Sequence, residues 1–174
     1  MRLYALIVAA KNPEDGNIYI YSTAFNLGSF SFFRPGSIKA SFVSFCRESV
    51  ALPAFASGTC HTVIHKEEYT VHIQVSKTAQ MAIFAFCDSS YPKKAAFKAT
   101  DEVMVAWEKK MGEEWTKYRK DENIDIGIDD ILKYNDELAR AQEKCDEILA
   151  IMRENMRRVL ENQENLERNR CEIF

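Results

Sequence analysis

Apolar and polar positions along the chain alternate in a way that marks out strands first and helices between them. Residues 2–10 and 17–26 carry strand patterns, and Asn12-Pro13-Glu14-Asp15-Gly16-Asn17 between them has the composition of a hairpin turn. In the second strand Ile18, Ile20 and Ser22 share one face and Tyr19, Tyr21 and Thr23 the other; bulk on both sides predicts a central strand. Ile38, Phe42, Phe45 and Ser49 then recur at helical spacing, in a helix expected to be capped by Ser37 and halted near Leu52 by Pro53. Three further strands are predicted over 59–66, 69–77 and 80–87. In the middle one Val71, Ile73 and Val75 alternate with Thr70, His72 and Gln74, whereas Met81 to Cys87 is apolar throughout and reads as fully buried. Pro92 opens a second helix, with Ser89 and Ser90 in capping reach. Its apolar face runs through Ala95, Ala96, Ala99, Val103, Ala106 and Trp107 to Met111, and Gly112 ends it. The order strand, strand, helix, three strands, helix predicts an α+β module with an antiparallel sheet over residues 1–112.

Residues 113–128 are charged and poor in branched apolar residues apart from Ile124, Ile126 and Ile128, and are expected to form a linker. From Asp129 the period changes. Ile131, Tyr134, Leu138, Ala141, Cys145, Ile148 and Met152, followed by Val159 and Leu166, are spaced by alternating threes and fours, the repeat of a coiled-coil seam. Asn155, Asn162 and Asn169 continue the rhythm. Asparagine in a seam lowers stability and restricts register and partner. A helix over 129–170 would be roughly 60 Å long and marginal by itself, because its apolar stripe has nothing to bury against. A second stripe, Leu149, Met152, Met156, Val159 and Leu160, is broad enough to lie in a groove of a folded domain instead. The segment therefore expects helical partners, its own module, or both.

Composition narrows the chemistry. A net charge of −3 argues against general nucleic-acid binding. No run approaches the roughly 18 apolar residues of a membrane-spanning helix, and the short apolar stretch Leu3–Ala10 reads as a first strand rather than a leader. The five cysteines at 46, 60, 87, 145 and 171 have no CxxC spacing and are expected to be reduced thiols. In a strand His61 and His65 share a face while Cys60 points away, so this cluster reads as ordinary strand residues. Asp88-Ser89-Ser90 lacks the glycine elbow of a nucleophile, and there is no phosphate-binding glycine loop. Neither a cofactor nor a metal is expected, and the chain does not read as an enzyme.

The final residues, Cys171-Glu172-Ile173-Phe174, form a CaaX pattern, with Cys171 the expected site of prenylation. Arg153, Arg157, Arg158, Arg168 and Arg170 gather positive charge towards it, where anionic headgroups would attract them.

With these features together the chain resembles longin-type R-SNAREs, specifically the lipid-anchored members without a transmembrane helix. Met1-Arg2-Leu3-Tyr4-Ala5-Leu6, the block Ser29-Phe30-Ser31-Phe32-Phe33, and Tyr91-Pro92 before an Ala/Phe-rich helix resemble the longin domain. Cys145-Asp146-Glu147-Ile148, Ile151-Met152-Arg153-Glu154-Asn155 and Val159-Leu160-Glu161-Asn162 resemble the SNARE motif, and the terminal box resembles the lipid site. The resemblance implies a longin (profilin-like) domain at 1–112, a linker at 113–128, an apparently truncated SNARE-like coiled coil at 129–170 and a prenylation box at 171–174. It places Phe42 and Phe45 in the groove of the longin domain. The seam layers fall at Leu138, Ala141, Cys145, Ile148, Met152, Asn155, Val159 and Leu166. Asn162 takes the central layer, where the family carries arginine. It further implies Q-type SNARE helices as partners in a four-helix bundle, packing of the longin domain against its own SNARE segment, and action in vesicle transport and fusion at the cytosolic face of Golgi or vesicle membranes. The alternative function is a longin-domain regulator that binds trafficking partners without driving fusion.

Overall fold

The computed structural model describes residues 1–28, 35–52, 61–78 and 80–171, with the helix path alone given for 167–171. Five strands, β1 (Leu3–Lys11), β2 (Ile18–Phe25), β3 (His61–His65), β4 (Thr70–Val75) and β5 (Met81–Cys87), form one antiparallel sheet in the order β2-β1-β5-β4-β3. The three long helices are α1 (Pro35–Ala51), α2 (Lys93–Met111) and α3 (Ile128–Cys171), and a 3-10 turn at Glu114–Lys117 follows α2. The chain divides into two compact units, Met1–Ala139 and Arg140–Phe174.

In the first unit the sheet lies between helical layers. Alternate residues of the central strands feed two cores. Ala5, Ile7, Ala9, Phe84 and Phe86 pack beneath α1, which contributes Ile38, Phe42, Cys46 and Val50. Leu6, Val8, Ala10, Ile83 and Ala85 pack beneath α2, which contributes Ala96, Ala99, Val103 and Trp107. All seven residues of β5 are buried, as expected of an apolar strand in the middle of a sheet covered on both sides. The Tyr21 ring meets Trp107 and Trp115 at centroid distances of 5.8 and 5.7 Å and closes one end of the second core.

Several local expectations change. Strand β2 is an edge strand, not a central one. Its two bulky faces are both covered, and its outer edge is occupied by the segment after the 3-10 turn. Glu122 N donates to Ile20 O (2.9 Å) and Ile124 N to Tyr21 O (2.8 Å). Asp121 Oδ1 accepts from Ile20 N at 2.9 Å, and Asn123 Oδ1 accepts from Thr23 N at 3.1 Å. Residues 118–124 thus act as a strap that satisfies an edge otherwise open to foreign strands. Arg47 of α1 ties it down by pairing with Asp121 and donating to Ile18 O.

Helix α1 begins at Pro35, so Ser37 lies in its first turn and does not cap it; Ser37 O accepts from Ser41 Oγ at 3.0 Å. Its core face continues through Cys46 and Val50 rather than Ser49. At α2 Pro92 occupies the N-cap position with extended backbone and no side-chain cap. Ser90 turns back instead, donating from N and Oγ to Asp88 Oδ1. Gly112 ends α2 at φ +49°, donating to Glu108 O, a left-handed conformation for which glycine is suited.

Candidate functional site: the two faces of the last helix

Helix α3 starts from a turn in which Gly127, at φ +76°, donates to Asp125 Oδ1 at 2.9 Å. Asp129 and Asp130 lie in its first turn, where negative charge suits the helix dipole. Its first three turns belong to the first unit. Ile128, Leu132 and Ala139 are buried in the core beneath α2. Between them lie two buried polar residues, Asn135 and Asp136. Asn135 O accepts from the buried Tyr91 hydroxyl at 3.0 Å, and its amide donates to Glu102 Oε2 at 2.7 Å. Asp136 is 1% exposed. Its Oδ1 accepts from Leu3 N at 2.9 Å, while Oδ2 faces Asn26 Nδ2 at 3.2 Å and Arg2 Nη1 at 3.4 Å. A carboxylate so deep must be hydrogen-bonded to be tolerated, and here it joins the start of β1, the end of β2 and α3.

At 100° per residue, Ile128, Leu132, Asn135, Asp136 and Ala139 centre on one side of the helix, and Tyr134, Leu138, Ala141 and Cys145 lie roughly 130° away. The docked face and the exposed positions Tyr134 and Leu138 therefore lie on different sides, with Ile131 half-buried between them. The seam residues are exposed: Leu138, Ile148, Met152, Val159 and Leu166 each show 43% or more of their surface. Ala141, Cys145, Asn155 and Asn162 are exposed too, as are Leu149, Met156 and Leu160 of the second stripe. Within the second unit, the other sides of the helix carry ion pairs at helical spacing. Glu154 accepts from Arg157 and Arg158, at 2.8 and 3.0 Å, and these hydrogen bonds hold its carboxyl below the usual range; Arg157 also pairs with Glu161. Charged flanks around an apolar stripe are the pattern of coiled-coil helices.

The other expected positions are distributed differently. Phe42 is 1% exposed and stacks on Phe86 at 4.1 Å, with Tyr69 edge-on at 5.1 Å. Phe45 is half-buried, edge-on to Phe84 and Phe86, with Lys66 over its ring. His61 stacks on Phe97 at 4.3 Å and His65 Nδ1 meets Thr70 Oγ1 at 3.2 Å. Cys60, the Ser29–Phe33 block and residues 172–174 lie outside the described residues, as does the side chain of Cys171. Among the cysteines described, Cys46 and Cys87 are buried, which pushes both thiols up, and Cys145 is exposed. Sequence reasoning missed Asn135 and Asp136. Two polar residues side by side, three and four positions after Leu132, were the available signal, since buried polar pairs interrupt apolar stripes at such spacings.

No helix among the described residues is long and apolar enough to cross a membrane. A five-stranded antiparallel sheet between helices, followed by a long amphipathic helix, is the architecture of a longin domain carrying a SNARE-type helix. No family model matches the chain. The chain is similar to the VAMP-like protein YKT61 of Arabidopsis thaliana, with 28% identity over 174 residues covering 96% of this chain and 85% of that protein. The resemblance to longin-type R-SNAREs drawn from the sequence motifs is thereby borne out.

Proposed function

We propose that this protein acts in vesicle-mediated transport as a SNARE-like chain, contributing α3 as one helix of a four-helix bundle with Q-type partners. The observation that carries this reading is the exposed heptad seam from Leu138 to Leu166. Burying side chains of the size of Ile148, Met152, Val159 and Leu166 stabilises an assembly by about 1.5–3 kcal/mol each, which gives the stripe a purpose that solvent does not. The similarity to a VAMP-like protein supports the same reading. The test is assembly of the full chain with three recombinant Q-type SNARE helices, followed by thermal melting and SDS resistance. A stable complex that Met152→Asp weakens at least tenfold is expected. Failure of every Q-type set to bind, or indifference to Met152→Asp, overturns the reading.

Membrane attachment in this proposal comes from a prenyl group on Cys171, within Cys171-Glu172-Ile173-Phe174, helped by the arginines before it. The protein would then act at the cytosolic face of Golgi or vesicle membranes. Mass spectrometry of the native C-terminus should show the lipid, and Cys171→Ser should release the protein from membranes. An unmodified cysteine in membrane-bound material refutes the anchor.

Asn155 and Asn162 favour a second reading. Polar layers in the exposed seam weaken a bundle, so the chain would occupy trafficking partners without driving fusion. A liposome-mixing assay separates the two: complex formation without lipid mixing supports the regulator.

A further inference from the structure

Beside the first turns of α3, within the first unit, the surface holds a second apolar feature. Val105 stands on the outer side of α2 and is 63% exposed, although its neighbours on that side are charged. An exposed valine by itself is ordinary. This one, however, lines a shallow open cavity of about 590 Å3 together with Ala106 and Ile131. The rim carries Lys98, Asp101, Glu102 and Lys109, two charges of each sign. Three of these are held by neighbours: Lys98 pairs with Glu102 at 3.6 Å and lies 5.5 Å over the Tyr134 ring, Glu102 accepts from Asn135, and Asp101 accepts from Gln74. The floor is thus left apolar and the rim neutral overall. A neutral, mixed-sign rim does not suit an anionic headgroup or a nucleic acid. It suits an amphipathic helix, whose apolar stripe is itself flanked by charges of both signs.

Ile131 belongs to both surfaces. It lines the cavity, and it is the first position of the heptad series that continues through Tyr134 and Leu138. Within the first unit, the series Ile131, Tyr134 and Leu138 therefore leads into the cavity. On the docked side of α3, Leu132, Asn135, Asp136 and Ala139 are already covered by the module.

We propose that the groove between α2 and the first turns of α3, floored by Val105, Ala106 and Ile131, receives one end of a single amphipathic partner helix, making the folded module part of the bundle. This rests on the helix-association reading above. The N-terminal limit of the assembly is then set by the globular unit rather than by fraying of α3.

The test places the photocrosslinking residue p-benzoylphenylalanine in the full chain in place of Val105, in place of Met152 in the seam, or in place of Ser44, which is exposed on α1 across the sheet. Each is irradiated with three recombinant Q-type SNARE helices. Crosslinks from positions 105 and 152 to the same partner helix, with none from 44, are expected. A crosslink from 152 but not 105 overturns the groove and leaves the association reading standing. A crosslink from 105 to a second copy of this chain overturns the groove as a partner site. Crosslinks from neither position overturn both readings. Val105→Asp, a surface change that leaves the core intact, should lower the affinity for the helices about tenfold; unchanged affinity overturns the groove.

Discussion

Replacing Asp136 by alanine should unlatch the first turns of α3 from the module. The carboxylate is 1% exposed and accepts from Leu3 N, itself in a fully buried residue, at 2.9 Å. Removing it leaves that N–H without its acceptor, at about 1–3 kcal/mol, and also loses the charge-assisted part of the bond. The Asn26 amide at 3.2 Å adds a smaller amount. Arg2 has 42% of its side chain exposed, and its pairing at 3.4 Å is screened to below about 1 kcal/mol. The expected loss is about 2–4 kcal/mol, which for a unit of this size lowers the melting temperature by roughly 6–15 °C. Asp136→Asn keeps an oxygen for Leu3 N and should lose about 1 kcal/mol. Urea unfolding followed by tryptophan fluorescence reads the change, since Trp107 and Trp115 both lie in the core beneath α2. Hydrogen exchange gives the local part: amides of 128–139 and of Leu3 should exchange faster, ahead of those in β5. A loss below about 0.5 kcal/mol for Asp136→Ala, with unchanged protection of 128–139, refutes the latch.

Two further outcomes follow from polar groups elsewhere in the module, one buried and one on its surface. His72 is 3% exposed, its Nδ1 has no hydrogen-bond partner among the described residues, and Phe97 lies edge-on at 5.3 Å. Burial, with smaller contributions from His65 and Lys93, lowers its pKa to about 4. Between about pH 6.5 and pH 4 the unfolded chain therefore binds a proton that the folded one does not, so stability should fall with pH across that window, by on the order of 2–3 kcal/mol. His72→Leu should flatten that slope in urea titrations, and an unchanged slope would exclude His72 as its source. Asp121→Ala removes the acceptor of Ile20 N and the partner of Arg47, so exchange at Ile20, Glu122 and Ile124 should accelerate with a loss of about 1 kcal/mol; protection equal to that of the native chain would mean that the strap holds without its clasp.

Period-2 and period-3.6 patterns made the five strands and three long helices legible, because in a sheet covered on both faces burial follows sequence spacing directly. Element ends were less legible. Ser37 and Ser90 have the chemistry of caps, yet a proline stands at the start of α1 and another at the N-cap of α2, and the Ser90 hydroxyl bonds Asp88 instead. The strap was hidden for another reason. Residues 119–123 are polar because the segment's backbone bonds β2 while their side chains face water or, like Asp121 and Asn123, reach the strand amides. Polar composition that reads as a linker is also what an edge-covering segment requires, and composition cannot distinguish them. The aromatic residues of α1 divided by one turn of helix: Phe42 fills the core against Phe86, and Phe45 sits at its margin.

Two sides of α3 differ in legibility because they obey different rules. The seam repeats over many turns, so Leu138, Ile148, Met152 and Val159 declare themselves by spacing. The docked face is short and half polar, and its periodicity ends after Ala139. Its specificity comes from Asn135 and Asp136, whose partners Tyr91, Glu102, Arg2, Leu3 and Asn26 are distant in sequence. Buried polar pairs of this kind fix position more than they add stability. Here they fix the rotation of α3 about its axis. A sliding apolar contact would let the helix turn its seam onto the module. The hydrogen bonds to Leu3 N and the Tyr91 hydroxyl hold Tyr134 and Leu138 outward, and the accessibility of these positions thus depends on residues that belong to neither apolar stripe.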